Sequence, residues 1–288
     1  MSLALVVDLI LNAIAQSALL FLVAVGLSLV FGVLRVVNFA HGVFYMLGAY
    51  LGFTVVARSG SFWLSLVLAP VATGLLGGLL ERTTLRYIYR RPPIYQLLLT
   101  FGLALVLEEL VRVFWGPSAL PVDPPAGLEG AVTILGAVYP RYRLFLVVLG
   151  MVTGVALWLF LQRTRAGLVI RAAAQNDEMA ACLGTDVARV RTGVFAAACA
   201  LAAVGGVAAA PMTTAYLGMG IGVIVDAFVV VVIGGLGSIV GSMAGSLIVG
   251  TAQTWGGFYF SEAAMAIMYL VMGLVLIFRP WGLFGEEE

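Results

Sequence analysis

No lysine occurs in this sequence; all fifteen basic residues are arginine, and His41 is the single histidine. A lone histidine excludes the His-rich clusters that serve as catalytic or metal centres. The two cysteines, Cys182 and Cys199, fall in a polar loop and in or near an apolar helix, places that suit neither a disulfide nor a metal site. The chain has no GxxxxGK[ST] loop, which excludes a Walker ATP site of its own. No serine or cysteine has a base placed for it, and no pair of carboxylates is placed for a metal. Charge is the largest deficit. Charged residues make up 10% of the chain and hydrophobic ones 62%, with a mean hydropathy of +1.12, where a soluble domain carries about 25% charged residues. Lipid must therefore solvate most of the molecule. A net charge of +1 gives no argument for a nucleic-acid partner. No cleavable signal is expected, since the first residues lack a positive region and the apolar run from Leu3 to Phe31 is long enough to stay in the membrane.

What remains is a series of apolar runs separated by short polar stretches, predicting an all-α polytopic bundle in a single transmembrane domain over 1–288. The first span covers Leu5 to Phe31, with Asp8, Asn12 and Gln16 on one helical stripe that faces protein, water or the interface rather than lipid. After a polar break at Arg35, Asn38 and His41 enter a segment that is apolar to Phe53. They either brace neighbouring helices at a broken helix or line a translocation path. The third span is Phe62 to Leu80 and the fourth Ile94 to Phe114. Between them an interfacial turn carries Arg82, Arg86, Arg90 and Arg91, and Glu108 and Arg112 are spaced to pair. The external loop 115–142 is long enough to fold on its own, with a hairpin expected around VTILGAVYP. The fifth span is Arg143 to Leu161. Beyond the polar island described next, Thr192 to Ala210 reads as a small-residue helix broken by Pro211. The apolar region Gly222 to Gly250 is interrupted at Gly234 to Ser238, with Asp226 one or two turns earlier. A short aromatic external turn is expected over Ala252 to Glu262, then a last span, Ala263 to Phe278, ahead of an interfacial or soluble acidic end. This gives eight or nine membrane segments, some re-entrant or broken. Gly48 with Gly52, Gly74 with Gly78, and Gly237, Gly241 and Gly245 on one face mark close helix crossings.

The polar island, 162–191, carries five of the arginines. Gln175 to Leu183 predicts a short helix, Gly184 a left-handed C-cap, and Thr185 or Asp186 the cap of the next helix. Two capped elements in a cytoplasmic loop form a shape that a partner can dock on. With this loop inside, eleven arginines (35, 82, 86, 90, 91, 163, 165, 171, 189, 191 and 279) face the cytoplasm and four (58, 112, 141 and 143) face out. That imbalance places the N-terminus outside and the C-terminus inside.

Three stretches, GLSLVFGVLRVVNFAHGVFYMLGAY, RAAAQNDEMAACLGTDVARVR and VVVVIGGLGSIVGSMAGSLIVG, resemble the permeases of the branched-chain amino acid ABC importers. They are closest to the shorter, LivH-type subunit, and the similarity covers nearly the whole chain in order. The resemblance implies a bacterial cytoplasmic-membrane assembly with a LivM-type second permease, two cytoplasmic ATPase subunits that use the ATP, and a periplasmic or lipid-anchored binding protein. This chain itself would bind no cofactor. The resemblance also implies an ATPase-coupling helix over Asn176, Asp177, Glu178, Met179, Ala180, Ala181, Cys182, Leu183 and Gly184. The acidic side chains near its start equally suit simple N-terminal capping. This copy departs from the family in a loose glutamate-alanine signature, AAAQNDEMAACLG, and in Thr185, where a bulky aliphatic residue is expected. Transport would proceed by alternating access, with Asn12, Gln16, Asn38, His41 and Asp226 as path candidates. Leucine, isoleucine or valine fit an apolar path; urea, short amides or other amino acids are the alternative substrates. A stand-alone secondary transporter or channel and a purely structural membrane subunit are the rival readings.

Overall fold

The computed structural model describes residues 2–89, 91–260 and 264–285. Arg90, the Glu262 end of the expected aromatic turn, Ala263 and the acidic residues 286–288 lie outside the described residues. Eleven helices and one β-hairpin are described: α1 (Leu3–Leu34), α2 (His41–Ser59), α3 (Phe62–Thr83), α4 (Pro93–Trp115), β1 (Ala131–Ile134), β2 (Ala137–Pro140), α5 (Arg141–Arg163), α6 (Arg165–Gln175), α7 (Asp177–Cys182), α8 (Val187–Thr213), α9 (Met219–Gly234), α10 (Ile239–Tyr259) and α11 (Ala264–Phe278). The fold is helical, as expected, and the hairpin falls on VTILGAVYP with Val132 opposite Tyr139.

The membrane-length helices are hydrophobic all round, so size of side chain rather than polarity decides which face turns inward. On α3, Val67, Val71, Leu75 and Leu79 recur every four residues and point away from the protein, while the opposite face is stripped to glycine. A Cβ on Gly74 would lie 3.0 Å from the carbonyl oxygen of Ala196, and one on Gly78 3.3 Å from Ala196 Cβ. Lipid is as apolar as leucine, so close backbone approach is what draws such helices together. α8 supplies the other side of three such crossings. Its Ala203 backbone would sit 2.4 Å from a Cβ on Gly48, and its Val207 side chain 3.0 Å from one on Gly52. Pro211 does not break α8. The helix continues to Thr213, and hydroxyls reach the carbonyls beside the proline: Tyr142 donates to Ala208 at 2.7 Å and Thr213 to Ala209 at 3.2 Å. The carbonyl that Pro211 itself leaves without an amide donor is that of Val207, four residues back.

Two breaks bring chain into the middle of the bundle. Arg35, at φ 54°, closes α1, and residues 35–40 then run back beside that helix instead of away from it. Consequently α2 begins next to the centre of α1, where His41 Nε2 meets the Val23 carbonyl at 3.0 Å. The second return follows α8. Ala215 pairs with Leu120 in a two-bond bridge, and the first turn of α9 lies directly on the first turn of α2. A Cβ on Gly42 would be 2.1 Å from the Gly220 carbonyl oxygen, and one on Gly220 2.6 Å from that of Gly42.

The interruption expected at Gly234 to Ser238 is present, and α9 and α10 meet there at 117°. Gly241 and Gly245 on α10 press against the carbonyls of Gly234 and Val230. Gly237, expected on that same face, lies instead in the turn, at φ 86°, against Gly32 of α1. α10 then runs antiparallel to α1 and continues to Tyr259, so most of the expected aromatic turn, 252–259, is helix. Residues after α11 fold back over the α9–α10 turn: the Leu283 and Phe284 amides donate to the Ile233 and Gly234 carbonyls at 2.9 and 3.0 Å. These carbonyls belong to a helix end and have no donor within their own helix.

By length and composition four helices among the described residues, α1, α3, α5 and α8, qualify to cross a membrane, or five if the bent α9–α10 pair is one span. The expected count was eight or nine. α2 starts inside the protein and α11 is short, while α4 carries Glu108, Glu109 and Arg112.

Candidate functional site

The polar island is built of two short helices and the start of the long α8, each begun by its own cap. Thr164 Oγ1 accepts from the Gly167 amide at 3.0 Å and starts α6, a helix not anticipated as separate from α5. The chain turns sharply there because Gly167 rests on the Phe160 and Leu161 carbonyls, leaving no room for a Cβ. Gln175, expected as the first residue of the next helix, is the last of α6. Asn176 is the cap of α7, its Oδ1 accepting from the Met179 amide at 2.8 Å. The end of α7 is closed by two bonds, Gly184 N–H to Ala181 at 2.9 Å and Thr185 N–H to Ala180 at 3.0 Å. These form a Schellman motif, which needs a left-handed residue, and Gly184 supplies it at φ 88°. Of the two residues expected to cap α8, Asp186 does so, accepting from the Arg189 amide at 3.1 Å.

Along α7 the residues expected to couple divide by face. Ala180 is buried, and Asp177 is half-buried in an ion pair with Arg191 of α8. Glu178, Met179, Ala181, Cys182, Leu183 and Gly184 are exposed, with Leu183 81% accessible. The result is a fixed apolar edge with an acidic residue at its N-terminal end, where negative charge is favourable.

The path candidates fall into three groups. Asn12 belongs to the end of the bundle that carries the hairpin, where its Nδ2 donates to Asp8 at 3.0 Å and its Oδ1 accepts from Arg143. Asn38 and His41 are fully buried. The Asn38 Oδ1 accepts from the Ala40 amide at 3.1 Å. Because a carbonyl can only accept, His41 Nε2 carries the proton in its bond to Val23. That leaves Asn38 Nδ2 and His41 Nδ1 buried without a partner among the described residues. Gln16 and Asp226, by contrast, converge on one side chain. Gln16 Nε2 donates to Gln253 Oε1 at 3.1 Å, and the Asp226 carboxylate lies against Gln253 as well. All three are half-buried, and Tyr45 is near enough to Asp226 to interact with its charge.

Gln253 was missed in the sequence because it sits where a turn was read. The signal available was the small-residue run continuing from Gly250 through Ala252 to Gly256 with no proline to stop the helix.

A family model described as "Branched-chain amino acid transport system / permease component" matches residues 9–279. Among curated proteins, the chain is 28% identical to the high-affinity branched-chain amino acid transport system permease protein LivH of Salmonella typhimurium, covering 96% of this chain and 94% of that one. It is 29% identical to the corresponding permease protein BraD of Pseudomonas aeruginosa, over 96% and 95%. The probable LivH of Methanocaldococcus jannaschii is 26% identical over 96% and 91%. No solved structure matches the chain.

Proposed function

The chain belongs to the family of branched-chain amino acid transport permease components, and from that premise we propose that it is one membrane subunit of an ATP-driven importer for leucine, isoleucine or valine. In this reading 1–288 is a single permease domain. It pairs with a LivM-type permease, receives substrate from a periplasmic or lipid-anchored binding protein, and is driven by two cytoplasmic ATPase subunits. The N-terminus and the segment 115–142 face out, and the segment 162–191 and the C-terminus face the cytoplasm of the cell that carries it.

The observation that carries the reading is α7. A six-residue helix that leaves Leu183 and Met179 exposed, yet is capped at both ends and tied to α8 through Asp177 and Arg191, holds a shape that the chain itself does not use. Burying two such side chains against a partner is worth about 1.5–3 kcal/mol each. The ATPase is the partner proposed for this edge.

The Gln16, Gln253 and Asp226 group supplies the polar part of a path whose remaining walls are apolar. A carboxylate beside an amide suits the ammonium group of a zwitterionic amino acid, whereas neutral urea or a short amide has no use for the charge. Binding energy that differs between inward and outward arrangements is what lets substrate and nucleotide select between them.

The test is uptake by proteoliposomes holding the chain, its partner permease, the ATPases and the binding protein, with labelled leucine, valine, urea and a short amide offered in parallel. ATP-dependent leucine or valine uptake that is lost in Leu183→Glu, together with ATPase binding, is the expected result. Uptake of urea or amide alone would overturn the substrate, and uptake without ATPases would overturn the class.

A further inference from the structure

One buried carboxylate is untouched by this account. Glu81, in the last turn of α3, is fully buried, and the three ion pairs among the described residues use other acids. A carboxylate removed from water costs several kcal/mol unless its oxygens are hydrogen-bonded. Here two hydroxyls do that: Tyr89 donates to Oε1 at 2.9 Å and Thr192 of α8 to Oε2 at 2.5 Å. The partners are themselves held. Gln96 of α4 donates to the Ile88, Tyr89 and Arg91 carbonyls at 3.5, 3.3 and 3.4 Å, fixing the turn that carries Tyr89. Arg86 donates to Thr192 at 3.2 Å. Burial and then the Glu81 charge push the Tyr89 hydroxyl well above its usual range, opposed by Arg191 and Arg86, so it stays a donor.

The other face of Tyr89 leads to α7. The Arg191 guanidinium lies over the Tyr89 ring, 5.1 Å from its centre, and the same guanidinium is the partner of Asp177. A continuous series of contacts therefore runs from Asp177 on α7 to Arg191, to Tyr89, to Glu81 on α3. It returns to α8 at Thr192, one residue from Arg191. The α3 and α8 backbones above this point are in glycine-mediated contact.

We propose that Glu81 and Tyr89 are positioning residues for energy coupling, the membrane end of a strap Asp177–Arg191–Tyr89–Glu81 that passes movement of α7 to the α3–α8 pair. The proposal rests on the docking reading of α7 above. Coupling carried by a physical network is established by showing that both ends respond when the middle is cut, and the strap can be cut without touching α7. Tyr89→Phe keeps the ring under Arg191 and removes the hydroxyl. Glu81→Gln keeps an acceptor and removes the charge.

The experiment uses the complete importer in proteoliposomes and reads three quantities for each variant: ATPase subunits retained, ATP hydrolysed and substrate taken up per ATP. For Tyr89→Phe and Glu81→Gln the expectation is retained ATPases, hydrolysis within about twofold, and a loss of about fivefold or more in uptake per ATP, the lower end of ordinary coupling energies. Unchanged uptake per ATP in both variants overturns the proposal, as does a loss that only follows the amount of assembled complex. A wild-type chain with no ATPase-dependent uptake overturns the docking reading instead, whatever the variants do.

Discussion

Two of the polar groups inside this bundle are enclosed to different degrees. Asn38 and His41 sit where the first turns of α2 and α9 meet, fully buried and packed so tightly that the Gly42 and Gly220 backbones touch. Gln16, Asp226 and Gln253 sit between α1, α9 and α10, half-buried and bonded chiefly to one another. In the sequence all of these are alike, single polar residues in apolar runs. The difference lies in what the neighbouring backbone allows. On the proposed reading, the junction sealed by glycine contacts holds its polar groups for architecture, and the seam left partly open holds them for substrate.

The largest effect that would sharpen the contrast is expected at the seal. Gly42→Val should leave little folded protein in the membrane, because its Cβ would stand 2.1 Å from a carbonyl oxygen, while Gly222→Ala, with nothing within 4 Å, should accumulate normally. Equal yields in a membrane-fraction blot would break the comparison at its root. Next comes the open group. Asp226→Asn keeps the shape beside Gln253 and removes the charge, and should lower uptake by about tenfold, the loss of roughly 1.4 kcal/mol, with a Tm close to wild type. A Tm fall as large as the uptake loss would place Asp226 in the frame with the enclosed pair. The smallest effect is at His41. His41→Leu removes the second donor to the Val23 carbonyl, which keeps its helical bond, a cost of about 0.5–1.5 kcal/mol, and should lower the Tm by a few degrees with uptake per folded molecule unchanged. A loss of uptake at unchanged Tm would move His41 to the path.

Local chemistry was readable from the chain and long-range closure was not. The hairpin at 131–140, the Gly184 and Asp186 caps and the break at Gly234 to Ser238 all depend on residues within a turn or two of one another, and each stands where the sequence places it. Pro211 misleads because part of what surrounds it comes from elsewhere in the chain: the Tyr142 hydroxyl reaches Ala208 from sixty-six residues away. The Gln253 position was hidden by aromatic residues that read as a turn but belong to a helix. Glu81 carries no signal in sequence at all. Its hydroxyl partners lie 8 and 111 positions distant, and nothing about an acid at the end of an apolar run distinguishes a buried one from one in the headgroups.

The backbone bonds from Leu283 and Phe284 to Ile233 and Gly234 impose an order in time. During synthesis the α9–α10 elbow emerges about fifty residues before the segment that covers its carbonyls. Until that segment arrives, the elbow must borrow donors from water, lipid headgroups or a chaperone. A chain interrupted before residue 283 would keep all of its helices and still present an unfinished edge, a mark by which membrane quality control could tell the incomplete molecule from the complete one.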